Sequence, residues 1–374
     1  MTSRKRGWVK AEGPNRWRIV LSITNGSGGR LRPSHYFTGS RADAEKERTR
    51  LLREIDTGQY IPPSEMTVGS FLSMWLTEHG VNLAERTLQG YTHKITRYVV
   101  PEIGGLGLIK LQPLHIQRVY NRWRKESVSD RTLLQLHRIL HRAFGHAVKW
   151  QYLNRNIIDS VDAPSAGDFR GRSYSVEEVL ALLKTTEGRS VHMDIVLAIN
   201  TGLRRGEICG LQWSDIDKDA RALTVRRSLY TAPDRTLKAK VPKSGKMRSV
   251  PLTSELIETL DVHKAGQVGW QRRNPDYNKG GWVVAGRDGN PLTPDWISQQ
   301  FRHAITDAGI APGRFHDLRH TLASWLIEDG EPLKVVSQWL GHSTITITAD
   351  IYGHITPQRL SEAADKLTRR LTGI

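Results

Sequence analysis

The stretch 131–150, RTLLQLHRILHRAFGHAVKW, sets Leu133, Leu136, Ile139, Leu140, Ala143, Phe144, Ala147 and Val148 so that each has another three or four residues away. Apolar side chains at that spacing share one side of a 3.6-residue helix, so the pattern predicts an amphipathic helix with a buried face. Arg138, His141, Arg142 and Lys149 fall on the other face. Upstream, Phe71, Leu72, Trp75 and Leu76 form a second helical stripe. Residues 66–163 therefore read as a mainly helical domain. It lies between linkers at Pro62-Pro63 and at Ala163-Pro164-Ser165-Ala166-Gly167-Asp168.

Working outward, residues 7–60 read as a small β-rich unit followed by a helix. Trp17, Ile19, Leu21 and Ile23 alternate as on a half-buried strand, and Asn25-Gly26-Ser27-Gly28-Gly29 is a hairpin turn. Ser40 is placed to cap a helix carrying Ala44, Leu51, Leu52 and Ile55, which stops near Gly58. Arg4, Lys5, Arg6, Lys10, Arg16, Arg18, Arg30 and Arg32 crowd the segment ahead of that helix. A sheet face with projecting arginines suits a DNA groove. On the other side, residues 173–374 form the largest unit. Ser175 and Glu178 make a capping box that opens a helix through Leu183. Short strands are expected at 223–229, 236–241 and 247–250. Thr293-Pro294 and Thr356-Pro357 each place a cap residue before a proline at a helix start. The expected fold is multidomain and mainly α with a small β-sheet. Its three domains are an N-terminal β-hairpin and helix (1–61), a helical domain (66–163) and an α+β domain (173–374).

Composition narrows the partner. The 374 residues carry 55 Lys and Arg against 38 Asp and Glu, a net charge of +17 that calls for a polyanion. Nucleic acid comes first; a membrane surface comes second, and no basic amphipathic anchor supports it. The single cysteine, Cys209, excludes a disulfide scaffold and fits a reducing cytosol. No apolar run reaches membrane-spanning length, and the N-terminal Met-Thr-Ser-Arg-Lys-Arg-Gly lacks the apolar stretch of a signal peptide. A cytoplasmic protein with no membrane partner is expected. His137 and His141 share a helix face, but Arg138 and Arg142 beside them make a poor cation site. Gly104-Gly105-Leu106-Gly107 does not complete a dinucleotide loop, and Thr201–Gly206 lacks the Lys and Ser/Thr of a phosphate loop. No Asp/Glu cluster suits a two-metal nuclease. Phosphodiester chemistry here is expected to need neither metal nor cofactor.

Phosphoryl transfer without a metal needs cationic clamps on the non-bridging oxygens, a nucleophile, and an acid for the leaving alkoxide. The C-terminal unit contains such a set. Arg204 lies in Asn200-Thr201-Gly202-Leu203-Arg204-Arg205-Gly206-Glu207, and Lys243 in Val241-Pro242-Lys243-Ser244. His316 and Arg319 lie in Phe315-His316-Asp317-Leu318-Arg319-His320-Thr321. His342 follows Trp339-Leu340-Gly341, and Tyr352 closes Ala349-Asp350-Ile351-Tyr352. Composition alone leaves Arg205, His320, Lys240 and Lys246 as rivals to their neighbours, and Glu207 as a partner for Arg204 or for Arg205.

In this order and context the residues resemble the tyrosine recombinase (phage integrase) family. That family has an Arg in Thr-Gly-x-Arg, a hairpin Lys, a His-x-x-Arg box, a Leu-Gly-His segment and a late Tyr. The resemblance is strong over 173–374, architectural over 66–163 and weaker over 7–60. It picks Arg204 over Arg205 and His316 over His320, and places the lysine on a hairpin where Lys240 and Lys246 compete with Lys243. It implies that Tyr352 attacks the scissile phosphate to form a 3′-phosphotyrosyl bond, with Arg204 and Arg319 on the non-bridging oxygens. It further implies that Lys243 protonates the 5′ oxygen, His316 assists proton transfer at the tyrosine and His342 hydrogen-bonds the phosphate. The implied partners are double-stranded DNA attachment sites, a homotetramer on DNA, and an accessory excision or DNA-bending factor. The implied function is integration or excision of a phage or mobile element. The rivals are a type IB topoisomerase-like relaxation enzyme and a non-catalytic DNA-binding regulator on the same fold.

Overall fold

The computed structural model describes residues 6–24, 30–57, 60–62, 65–165, 167, 171–232, 234–241, 247–342 and 344. Its contacts divide the chain into two compact units, Met1–Phe169 and Arg170–Ile374. Among the described residues no helix is long and apolar enough to cross a membrane.

The first unit opens with strands β1 (Gly7–Gly13), β2 (Arg16–Leu21), β3 (Ile23–Thr24), β4 (Arg30–Leu31) and β5 (Ser34–Thr38). β2 is central in an antiparallel sheet of order β1-β2-β5, with Val9 opposite Ile19 and Trp17 opposite Phe37. β3 and β4 pair as Ile23 with Leu31, on either side of the expected turn at 25–29, which lies outside the described residues. Helix α1 (Arg41–Asp56) covers one face, packing Leu51 against Ile19 and Leu21 and burying Ala44 as well. Ser40 caps it as expected, its Oγ accepting from the Asp43 N–H at 3.2 Å. Strand alternation leaves Trp8, Lys10, Arg16, Arg18 and Tyr36 on the opposite face. Tyr36 is 60% exposed, with the Arg16 guanidinium 5.4 Å from its ring centre.

Helices follow: α2 (Val68–Gly80), α3 (Glu85–Lys94), α4 (Val100–Ile103), α5 (Pro113–Lys125) and α6 (Asp130–Lys149). α3 runs into α4 through a π turn at Ile95–Val99. Pro101, two residues beyond it, has no N–H to give the ladder, which accounts for the local change of pitch. α6 occupies the stretch quoted first and buries Leu133, Leu136, Ile139, Leu140, Ala143, Phe144 and Ala147. They meet Phe71, Leu72, Trp75, Ile116 and Tyr120 in one core. The buried Trp75 indole donates to His146 Nδ1 at 2.8 Å. That bond gives the histidine a packing role inside the helical core.

The second unit contains α7 (Val176–Thr186), α8 (His192–Thr201), α9 (Arg205–Cys209), β6 (Ile216–Asp217), β7 (Ala222–Val225), β8 (Ser228–Thr231), β9 (Leu237–Lys240) and β10 (Arg248–Pro251). It continues with α10 (Ser254–Arg273), α11 (Pro294–Asp307), α12 (Asp317–Glu328) and α13 (Leu333–Leu340). The Ser175–Glu178 capping box and the Thr293 cap form as expected. The second cap, at Thr356-Pro357, lies outside the described residues. The sheets are small and antiparallel, β10-β7-β6 and β8-β9. The strand expected at 223–229 is two strands, because Arg226 and Arg227 leave the ladder for the buried Asp215 carboxylate. Arg227 donates to both its oxygens, at 2.6 and 3.2 Å, and Arg226 Nε lies 3.1 Å away. A buried carboxylate needs such donors, and meeting that need breaks the strand. The core joins Ile195 and Leu197 of α8 to Leu223, Val250, Phe301 and Leu318.

Candidate active site

The site grows from two tight turns. α8 ends at Gly202, whose φ of +65° is the left-handed conformation that closes helices. An added Cβ there would stand 2.6 Å from Leu340 Cδ2, so both conformation and space require glycine. Two residues on, Arg204 is extended and forms the N-cap of α9. α13 ends the same way, at Gly341 with φ +65°, and His342 follows. The two Gly-turns bring Asn200–Arg204 and Trp339–His342 together, and the Trp339 indole donates to the Thr201 carbonyl at 3.2 Å.

α12 supplies the third wall. Arg319, only 3% exposed, donates to the carbonyl of Gly202 and to that of Leu340. Arg204 Nη2 donates to the Gly341 carbonyl at 3.1 Å. Arg319 is thus anchored by backbone carbonyls at both turns and Arg204 by the carbonyl of Gly341 alone, and Arg204 keeps 35% of its side chain open. His316 sits at the head of α12, edge-on to His320 with ring centres 5.0 Å apart. Burial among packed atoms, then the charges of Arg319, His320, Arg204 and Arg314, push His316 down to about 3. More than a third of the residue still meets solvent, but the surrounding cations press the same way, so a neutral ring at pH 7 stands. Burial, then Arg319, Arg204, His320 and Arg248, push His342 down to about 4.

Glu207 lies beneath Arg204 and is 3% exposed. It accepts from the Arg204 N–H and Arg204 Nη1, both at 2.9 Å, and from Arg248 Nη1 and Nη2 at 2.9 and 2.6 Å. Burial alone would raise its pKa. The hydrogen bonds and charge of Arg248, with the charge of Arg204, reverse that and hold it at about 2. Of the two partners left open for Glu207, Arg204 is the one it takes. Arg205 turns away to Ser298 and to Asp295, 3.5 Å distant.

The structure therefore gathers Arg204, His316, Arg319 and His342. Lys243 and Tyr352 lie outside the described residues, as does Lys246. Lys240 ends β9 with its ammonium 5.2 Å over the Tyr230 ring. Sequence reading missed Arg248. Its signal was alternation on β10: Val250 is fully buried, and Arg248, two residues earlier, shares its inward face while Met247 is exposed. Chemically, two fixed guanidiniums beside neutral imidazoles suit a tetrahedral oxyanion and give nearby groups that can take a proton. Among the described residues no group of three or more metal-ligating side chains is assembled.

The comparisons with known proteins agree with this architecture. The phage integrase family model matches residues 173–359, and the phage integrase N-terminal SAM-like domain matches 67–124. A tyrosine recombinase XerC-like protein of Caldanaerobacter subterraneus subsp. tengcongensis is 29% identical over 98% of each chain. An integrase of Streptomyces ambofaciens is 29% identical over 84% of this chain and 82% of its own. The ICEBs1 integrase of Bacillus subtilis is 24% identical, covering 90% and 92%. Among solved structures, the Tn1549 transposon integrase in complex with transposon right end DNA has a TM-score of 0.71 at 21% identity, covering 81% of this chain and 100% of that one. A lambda integrase dimer bound to a COC′ core site has a TM-score of 0.60 at 19% identity, covering 95% and 97%. The chain belongs to the phage integrase family and is a site-specific tyrosine recombinase.

Proposed function

We propose that the protein binds double-stranded attachment sites, breaks one strand at a time and rejoins it to another duplex, integrating or excising a phage or mobile element. The observation that carries the reading is the placement of Arg204 and Arg319 on the Gly202 and Gly341 turns, with His316 and His342 beside them. Arg204 and Arg319 bind the non-bridging oxygens and stabilise the charge that builds on them. The Tyr352 hydroxyl oxygen attacks phosphorus and gives up its proton, with neutral His316 as acceptor. The bond to the 5′ oxygen breaks, and Lys243 protonates that oxygen as it leaves. A 3′-phosphotyrosyl bond and a free 5′-hydroxyl result. A 5′-hydroxyl from another duplex reverses the steps and restores the phosphodiester, so no external energy source enters. His342 hydrogen-bonds the phosphate.

The division of labour follows the domains at 1–61, 66–163 and 173–374. The outer sheet face with Lys10, Arg16, Arg18 and Tyr36 contacts an arm-type DNA site. The basic face of α6, with Arg138, Arg142 and Lys149, contacts the core site. Strand exchange between two duplexes calls for four active sites, hence a homotetramer; a lambda integrase tetramer bound to a Holliday junction is among the structures of similar fold. An accessory excision or DNA-bending factor completes the assembly.

The test is covalent trapping. Incubated with DNA from the element's ends, the protein should yield an adduct that survives denaturing electrophoresis. With sulfur at the 5′ bridging position the leaving group needs no proton. Lys243→Ala should therefore cleave ordinary DNA slowly and the sulfur substrate at nearly the wild-type rate, while Arg204→Ala should not be rescued. No adduct with the wild-type protein would overturn the reading. Rescue of Lys240→Ala or Lys246→Ala in place of Lys243→Ala would move the acid to that lysine.

A further inference from the structure

We infer that Arg248 is a positioning residue for the phosphate clamp, acting on Arg204 through Glu207; the inference rests on the reading of Arg204 as a clamp. Glu207 is a single buried negative charge beneath two guanidiniums. Arg248 takes both of its oxygens in a fork, at 2.9 and 2.6 Å. Arg204 is left with one side-chain bond to it, through Nη1 at 2.9 Å. The carboxylate's charge is therefore largely answered by Arg248, whose side chain is 11% exposed, and Arg204 keeps net positive charge for a ligand. Without Arg248, the full charge of Glu207 would fall on Arg204, drawing its guanidinium into a fork and cancelling its field at the phosphate.

A second connection runs through the backbone. The Gly341 carbonyl holds Arg204 Nη2, and Arg248 packs directly on Gly341: a Cβ there would stand 2.5 Å from Arg248 Cδ. Arg248 thus bears on Arg204 from below, through a carboxylate, and from the side, through the turn that precedes His342. It also begins β10, two residues after the segment 242–246 that contains Lys243. None of these contacts places Arg248 against substrate. Its role is to fix the charge and direction of a neighbour.

The test uses the full-length protein and two DNAs, one ordinary and one with a neutral methylphosphonate at the scissile position. A neutral group places little charge on the clamp, so defects that act through the clamp should shrink on it. Arg248→Gln should bind DNA like wild type but form adduct about a hundredfold more slowly on ordinary DNA, the scale of a small misplacement of a reacting group. Most of that loss should vanish on the methylphosphonate. Arg248→Lys, which keeps the charge but not the fork, should fold and show the same substrate-dependent defect in milder form. Arg248→Gln combined with Glu207→Gln should be faster than Arg248→Gln alone, because removing the carboxylate frees Arg204. An equal loss on both DNAs, or no loss on either, would overturn the inference. Arg204→Ala separates the two readings. If it is not rescued by the methylphosphonate, the clamp assignment itself fails; if it is rescued and the Arg248 variants are not, only the role of Arg248 fails.

Discussion

Glu207 answers two arginines with one carboxylate, and its acid behaviour follows. Its folded pKa is about 2 against an unfolded value of 4.5, so the stability it contributes is full above pH 4.5 and is lost as pH falls towards 2. That shift is worth about 3 kcal/mol at most. Glu207→Gln should therefore melt below wild type at pH 7, and the gap should close between pH 4.5 and 2; a gap that is constant across that range would contradict the ion network. The imidazoles run the other way. His316 and His342 bind protons more weakly folded, at about 3 and 4, than unfolded, at 6.5. Their lowered pKa values, set by burial and the neighbouring cations, therefore reduce stability as pH drops from 6.5 towards 3 to 4 and have no effect above that window. In DNA-free protein their ring carbon–proton NMR signals should stay at neutral positions down to pH 5, and titration near 6.5 would contradict the packing described. At this scale the sequence was legible where motif context was dense. The Gly202 and Gly341 turns bring Arg204 and His342 into one site. Strand alternation turns Arg248 inward, but its partner Glu207 lies 41 positions away, and no local pattern marks that pairing.

Elements were legible in proportion to their apolar periodicity. α6 presents an unbroken stripe that includes Phe144, fully buried against Phe71. Phe144→Ala should destabilise the helical core by about 3–5 kcal/mol, read from urea unfolding. α10, 20 residues long, escaped notice because it buries only Leu256, Leu260 and Gln267; a helix lying on a surface carries little apolar signal. The broken strand at 226–227 shows the opposite failure, since local pattern favoured continuity while a buried Asp215 demanded donors. Turns are more exacting than either. Gly202→Ala should cost about 1–3 kcal/mol through its positive φ and its collision with Leu340. It should also slow adduct formation, because the same carbonyl anchors Arg319.

At the scale of the whole molecule, the surplus of positive charge in the sequence pointed to a polyanion, and the sheet face bearing Lys10, Arg16, Arg18 and Tyr36 is one place where it accumulates. Deleting residues 1–61 should spare footprints on the core site, abolish those on a distant arm site and flatten the dependence of overall affinity on salt, since fewer counterions are released. An unchanged footprint on a full attachment site would contradict a separate role for that unit. The central claim, strand transfer through a tyrosine ester, is tested most directly by finding the bonded atom. Trapped adduct, digested with protease and nuclease, should yield one nucleotide-bearing peptide by mass spectrometry, with the phosphate on Tyr352 and none formed by Tyr352→Phe. A phosphate mapped to any other residue, or an adduct that survives Tyr352→Phe, would contradict the account.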